Sequence, residues 1–444
     1  MRYALTDRQP SDVLFTGPDG AITASMFVAA AHHLAAELPD AGHVVNLCQD
    51  RYRFAVAFAA CVLRKQVCLL TSDRSSARLE QLSRDYPGIV SVSEDPDVAS
   101  PLCHHLMAPC PDKAGTATTP AIAADQLAAI VFTSGTTGEP VANRKSWGAL
   151  VERSLGAAIR FGLTPERRNT VVGTVPPQHM YGFETTVLLP LHAVVASWHG
   201  PAFFPHDIRQ ALDQADAPRI LVTTPLQLRN LLAAALDLPP LSQVISATAP
   251  LPVALAAEAE TRWGAPVMEI FGATEVGSVA SRHTLTDTAW TLYPGIGFHP
   301  ECRNGVERIM VTGPFAEPRP LNDTIEMAGG TRFRLLGRTA DMIKLAGKRA
   351  SLAGLNQILN DIDGVTDGLF IAPDDLDERS GARLLAYVVA PDQTAKNILA
   401  ALRLRIDPVF LPRRVIRVDG LPRNEVGKLP RAALERLQEA AGNA

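Results

Sequence analysis

The run 126–132, QLAAIVF, passes without a break into Thr133-Ser134-Gly135-Thr136-Thr137-Gly138-Glu139-Pro140. An apolar run of strand length that opens directly into such a loop constrains the chain more than any other feature. Two glycines let the backbone turn tightly and approach a ligand, and four hydroxyl residues add donors beside the backbone N–H groups, a combination suited to cradling phosphate oxygens. It is not a Walker A loop, because no GK[ST] follows at the required spacing. Standing alone, it would equally suit a plain polar, glycine-rich turn.

The surrounding pattern alternates. Residues 24–38 and 53–63 have helical spacing, 67–70 reads as a short strand, and 146–161 reads as a helix. Further on, strands are expected at 170–175, 220–223 and 243–246, with a helix near 226–236. Segments 306–312 and 331–336 are β-rich. Alternation of this kind predicts an α/β fold. At 444 residues the chain calls for a large domain plus a smaller one, and the stretch after Gly337 reads as a small α+β unit. Residues 108–124, rich in Pro, Thr, Ala and Gly, read as an exposed loop.

Several function classes drop out. Lys plus Arg total 42 against 46 for Asp plus Glu, a net charge of −4, so bulk charge does not point to nucleic acid. The longest apolar stretch, 54–63, is about half of what a bilayer span needs, and the start MRYALTDRQPSDV lacks a signal-peptide pattern. Six scattered cysteines make no disulfide framework, so a reducing, cytoplasmic setting is expected. Cys103-His104-His105 and Cys110 lack the paired spacing of a zinc site and read as a loop with free thiols.

Three more motifs follow the loop. Phe271-Gly272-Ala273-Thr274-Glu275 puts an aromatic face, a flexible glycine, a hydroxyl and a carboxylate within five residues, parts that suit stacking on a base and coordination of Mg²⁺. Gly337-Arg338-Thr339-Ala340-Asp341-Met342-Ile343-Lys344 precedes Gly347-Lys348-Arg349. Near the end, Leu421-Pro422-Arg423-Asn424-Glu425-Val426-Gly427-Lys428 carries a lysine after a glycine. Each alone is ordinary. In this order, over roughly 126–431, the four resemble the adenylate-forming (AMP-binding) superfamily of acyl- and aryl-CoA synthetases, adenylation domains and luciferases.

The resemblance implies a fold, an activity and a set of roles. The fold would be a large domain of layered β-sheets and helices over 1–337, with a mobile α+β lid over 338–444. ATP, with Mg²⁺, would convert a small carboxylic acid to an acyl-adenylate, and a thiol would then displace AMP. Thr133, Ser134, Gly135, Thr136, Thr137 and Gly138 would hold the β- and γ-phosphates. Phe271 would stack on adenine, Thr274 would contact the α-phosphate and Glu275 would bind the metal. Asp323 and Arg338 would reach the ribose, and Lys428 would bridge the attacking carboxylate and the α-phosphate. Lid rotation would exchange Lys428 for the strand around Gly347, which would line a pantetheine tunnel.

Departures from the family pattern bear on substrate and activity. The lysine expected after Pro140 is Val141, with Arg144 and Lys145 downstream as candidate replacements. The hinge residue is Ala340. The segment usually reading SGGAPL is Ser246-Ala247-Thr248-Ala249-Pro250-Leu251, which places Ala247 and Thr248 at the acyl pocket. Pro176-Pro177-Gln178-His179-Met180-Tyr181-Gly182 matches the pocket wall, with His179 shaping the carboxylate site and Met180 and Tyr181 lining the acyl group. Amino-acid-activating relatives carry an aspartate where Met180 stands, to pair the substrate ammonium. An aryl acid or a short to medium acyl chain fits better. TSGTTGEPVANRKSWG resembles the short ligases of aryl polyene and xanthomonadin pigment pathways, which implies a hydroxybenzoate-type acid and an acyl carrier protein as acceptor. An aryl- or acyl-CoA ligase using free CoA is the alternative. An inactive AMP-binding relative is the alternative of another class.

Overall fold

Asp50 accepts a hydrogen bond from Arg53 N at 2.8 Å and so starts the helix Arg51–Leu63. Tyr52 and every residue from Phe54 to Val62 are buried. A helix this apolar on all sides must be covered on all sides. In the computed structural model it packs against the helix Ala24–Glu37, the strands His43–Asn46 and Val67–Leu70, and a π-helical turn, Glu184–Leu188. The structure describes the chain except for residues 99, 109–117, 135–139, 304–305, 339–341, 346–347, 373–382, 424–428, 430–435 and 437–444.

The chain divides into two units. The first holds Met1–Ala247, Ala259–His283 and Leu292–Arg319; the second holds Thr248–Glu258, Thr284–Thr291 and Pro320–Ala444. In the first unit, one six-stranded sheet runs Pro140–Ser146, Leu127–Ser134, Val67–Leu70, His43–Asn46, Val90–Ser93, Cys103–Leu106. All neighbours are parallel except the opening hairpin. Val67–Leu70 and Val90–Ser93 are buried on both faces, as parallel strands between helices require. A second sheet contributes to this unit, in order, Gly277–His283, Val267–Ala273, Leu241–Ser246, Arg219–Thr223, Asn169–Gly173, Val195–Trp198, Val13–Gly17 and Gly20–Thr23. Its central strands are parallel and carry their C-terminal ends toward the motif-bearing loops.

The second unit contains a three-stranded sheet of Asp367–Ile371, Leu385–Val389 and Arg414–Arg417, with the helices Leu352–Asn360 and Ala395–Arg403. Leu355, Leu359, Phe370, Ala386, Val388, Ile398 and Leu402 form its core. The same unit pairs Asp323–Met327 with Arg332–Arg338, and Trp290 and Thr291 with Phe333 and Arg332.

The α/β expectation holds, and the helices at 24–38, 53–63 and 146–161 lie at Ala24–Glu37, Arg51–Leu63 and Trp147–Arg160. Two expectations need correction. Within 108–124, Ala121–Ala123 is a strand paired with Arg2–Ala4, and its Ile122 is buried opposite Tyr3; three residues are too short a run to show a period. Cys103–Leu106 is an edge strand rather than a loop, parallel to Val90–Ser93. Its polarity hides it, because His104 faces inward to bond Ser91 Oγ at 2.9 Å and Ser93 Oγ at 3.2 Å. Among the described residues no helix is long and apolar enough to cross a membrane.

Gly182, in the short helix Met180–Phe183, meets backbone: a Cβ there would lie 2.2 Å from Pro176 O. An alanine in a helix ordinarily gains stability over glycine. Here Gly182→Ala is expected to lose about 1–3 kcal/mol by overpacking. Gly42→Ala, where nothing lies within 4 Å of the added carbon, is the control. A lower urea midpoint for Gly182→Ala alone is the expected result.

Candidate active site

Strands Leu127–Ser134 and Pro140–Ser146 pair antiparallel in the register Ser134↔Pro140 and Thr133↔Val141. The hydroxyl- and glycine-rich loop therefore joins the two arms of a hairpin, and residues 135–139, with Gly135, Thr136, Thr137 and Gly138, lie outside the described residues. Sequence reasoning passed from this loop straight to a helix, because PVANRKS carries too few apolar residues to announce a strand. Its alternation decides the fate of the two candidate cations. Arg144 is exposed; Lys145 is 7% exposed and points into the protein.

The strand Val267–Ala273 turns at Thr274-Glu275-Val276 and returns as Gly277–His283. Val276 N donates to Ala273 O at 3.1 Å, and the ladder shifts register between Phe271 and Gly272. Two glycines make the turn possible. A Cβ on Gly272 would lie 2.5 Å from Gly277 O, and Gly277 has φ +76°. Phe271 is buried, while Thr274 and Glu275 are half-buried. The turn thus offers a hydroxyl and a carboxylate side by side, hard oxygen donors of the kind Mg²⁺ takes. At the base of the hairpin, Glu269 accepts from Arg282 Nε at 2.7 Å. Glu260 accepts from Val267 N at 2.8 Å and pairs with His283 Nε2 at 2.7 Å.

Beneath the turn lies a cluster that sequence reasoning missed. Lys145 Nζ donates to the carbonyl oxygen of Glu275 at 3.1 Å. Glu184 accepts from Ser278 N at 3.2 Å on each carboxylate oxygen, and from Ser278 Oγ. Arg153 is equally buried, and among the described residues its Nη1 has no hydrogen-bond partner. Tyr293 is buried nearby, its hydroxyl likewise unpartnered among the described residues. Burial pulls the Lys145 ammonium down to about 8, opposed by the attraction of Glu184. Burial also pushes the Glu184 carboxyl up, against its bonds from Ser278 and the nearby Lys145 and Arg153. One signal could have exposed the cluster: Glu184 is the lone charge in the apolar run MYGFETTVLLPL.

The predicted pocket wall is closely bonded. His179 caps the turn Met180–Phe183, its Nδ1 accepting from Tyr181 N at 3.3 Å. Met180 is 5% exposed and packs in the main core with Phe183. The Tyr181 hydroxyl donates to Ile245 O at 2.8 Å and Thr223 O at 3.1 Å, which ties two neighbouring strands together. Ala247 shares an apolar cluster with Tyr181. Thr248 has φ +83°, a left-handed backbone uncommon for a β-branched residue, at a position where the family pattern has glycine.

In the second unit, Asp323 and Arg338 are direct partners in the antiparallel ladder. Gly347 and Lys428 lie outside the described residues, as does Ala340. Strands Met342–Leu345 and Lys348–Ser351 flank the first. Just before the last motif's lysine, Arg423 makes a two-pronged bond to Asp367, at 2.6 and 2.8 Å, fixing where that segment leaves the small sheet.

Comparison with known proteins gives a consistent result. The family profile described as AMP-binding enzyme matches residues 37–306, and that of the AMP-binding enzyme C-terminal domain matches 374–428. A 4-coumarate–CoA ligase from Rhodobacter capsulatus is 30% identical over 279 residues, 63% of this chain and 67% of that protein. An indoleacetate–CoA ligase from Aromatoleum aromaticum is 25% identical over 347 residues, 69% of this chain and 66% of the other. The alignments thus span about two thirds of these relatives. The crystal structure of ATP-bound MatB from Rhodopseudomonas palustris has the same fold, with a TM-score of 0.81 and 21% identity over 98% of both chains.

Tyr181→Phe separates packing from recognition. Removing a buried hydroxyl that serves two carbonyls is expected to cost about 1–3 kcal/mol in urea unfolding. The KM for the acid should not move. Unchanged stability with a raised KM would mean that the hydroxyl faces the acid instead.

Proposed function

The chain belongs to the AMP-binding enzyme family, and from that premise we propose that it activates an aryl acid of the hydroxybenzoate type and passes it to the phosphopantetheine thiol of an acyl carrier protein. Adenylate-forming ligases of the acyl- and aryl-CoA ligase type use ATP and Mg²⁺ to activate carboxylic acids, and this chain is one of them. The identity of the acid, its acceptor and the role of each residue are our reading.

The observation that carries the choice of acid is the state of Glu184, a buried carboxylate four residues after Met180. Glu184 already accepts three hydrogen bonds from Ser278 and lies beside Lys145 and Arg153. Its charge is already matched by those two cations and its oxygens are engaged by Ser278, so it is a poor partner for a substrate ammonium, whose burial without one would cost several kcal/mol. Met180 offers only a thioether and methylenes. The wall therefore suits a flat or apolar acid. The names of the two curated relatives, 4-coumarate– and indoleacetate–CoA ligase, support an aryl group. They also favour a second reading for the acceptor, free CoA.

In this reading the acid's carboxylate attacks the α-phosphate of ATP, giving an acyl-adenylate and pyrophosphate. Thr274 orients the α-phosphate, and Phe271 offers its ring to the adenine. Glu275 would hold Mg²⁺, which when bound would offset the phosphate charge. Asp323 and Arg338, locked in one ladder, hold the ribose. Lys428 supplies a cation where two anions meet. The lid, 338–444, then rotates, Lys428 withdraws, and the strand around Gly347 admits the thiol. The 374–428 match to the family's C-terminal domain supports a separate lid, and a reducing cytoplasm suits its free thiols.

The test is pyrophosphate release with Mg-ATP across benzoate, 3- and 4-hydroxybenzoate, cinnamates, fatty acids and amino acids, each with no thiol, with CoA, and with a phosphopantetheinylated carrier protein. Turnover of a hydroxybenzoate that rises only with the carrier is expected. A rise with CoA alone selects the second reading, and turnover of amino acids alone overturns the choice of acid. Silence with every acid would make the chain an inactive relative. Lys428→Ala should slow adenylation about 10²–10³-fold and spare thioester formation from supplied acyl-adenylate. Equal loss of both steps would refute the rotating lid.

A further inference from the structure

We propose that Lys145 and Glu184, with Arg153 beside them, are positioning residues that set the Thr274–Glu275 turn for Mg²⁺-dependent nucleotide binding. This inference rests on the reading of Glu275 as the metal ligand. It assigns a task to three side chains that the reaction itself leaves unused.

The geometry is a clamp on both ends of one turn. On one side, Lys145 reaches from the strand Pro140–Ser146 and bonds the backbone oxygen of Glu275 itself, at 3.1 Å. On the other side, Glu184 reaches from the π-helical turn and takes both the backbone N–H and the hydroxyl of Ser278. The carboxylate also occupies the space that a side chain on Gly277 would need: a Cβ there would lie 2.8 Å from Glu184 Oε1. The peptide carbonyl of Glu275 and the N–H three residues later are thereby fixed by two oppositely charged groups. Those groups in turn come from two different elements of the first unit.

Stability gives no reason for this arrangement. Lys145, Arg153 and Glu184 are each less than a tenth exposed, two cations against one carboxylate. Burying ions costs more than apolar packing of the same volume, and here a guanidinium nitrogen and the Tyr293 hydroxyl stay unpartnered among the described residues. What the charges add is anchorage, since a hydrogen bond to an ionised partner is roughly twice as strong as a neutral one. Residues that orient a metal ligand typically change metal affinity when removed. The same hairpin that carries Lys145 also carries Thr133 and Ser134, so the phosphate loop and the metal turn share one support.

The test uses the full chain and a non-hydrolysable ATP analogue, with calorimetry in Mg²⁺ and in EDTA, so that it does not depend on knowing the acid. Lys145→Met is expected to weaken Mg²⁺-dependent binding roughly 10–100-fold and to leave affinity in EDTA unchanged. Lys145→Arg should restore most of the loss, and Ser278→Ala should show a smaller loss of the same kind. Near-UV circular dichroism checks folding. A folded Lys145→Met with wild-type Mg²⁺ dependence overturns the proposal. So does a change confined to the acid's KM, which would place the cluster in acid recognition. If Lys145→Met does not fold, wild-type Mg²⁺ dependence in Ser278→Ala is sufficient to overturn it. Wild-type protein that binds no Mg-analogue would remove the Glu275 reading first, and this inference with it.

Discussion

The Glu184 carboxylate, sealed beneath the turn of the Val267–Ala273 hairpin, is the contact on which the geometry of the candidate site depends. It stands in an otherwise apolar stretch, in a π-helical turn whose Thr185 and Thr186 hydroxyls bond back to the carbonyls of Tyr181 and Gly182. π-turns are rare and concentrate at functional sites. Widening the helix by one residue here brings the carboxylate up against Gly277, where only a residue without Cβ leaves it room. The conformation of the turn, the glycine and the buried acid are therefore one choice made three times. The two cations beside it follow, because an acid this deep needs positive neighbours to stay charged.

Much of this protein was legible in its sequence, for identifiable reasons. The helix Arg51–Leu63 and the strand Val67–Leu70 announce themselves because they are buried on every face, so their composition is uniform. The hairpin at Phe271–Glu275 was legible as a motif, because an aromatic, a glycine, a hydroxyl and a carboxylate rarely fall together without a task. The strand Pro140–Ser146 was not legible. It is an edge strand, and its inward positions are filled by polar groups that find partners only in the folded chain. Lys145 shows the difficulty best: next to Arg144 it reads as one of two candidate replacements for the loop lysine, and only the pleat of the strand sends one out and the other in. Residues 103–106 were misread for a related reason, since His104 faces inward onto two serines rather than onto an apolar layer.

Two departures from the family pattern have a visible structural counterpart. Val141 removes a lysine beside the phosphate loop, yet the same strand supplies Lys145 four residues later, on the inner face. Thr248 keeps the left-handed backbone its glycine counterpart would adopt without strain, at a cost of about 1–3 kcal/mol. A side chain that persists in such a conformation is held by its surroundings.

The way the two units share the chain has a consequence for how this protein can be made and cut. The second unit draws Thr248–Glu258 and Thr284–Thr291 from within the span of the first, and Trp290 pairs with Phe333, far along the chain. As the polypeptide leaves the ribosome, the second unit cannot close until its last long segment has emerged, so two stretches of the earlier sequence wait for the rest of their unit. An expression boundary drawn after Arg319 would preserve every residue of the first unit and still remove the main part of the unit to which those two stretches belong. The folding order is thus written into the connectivity rather than into either core.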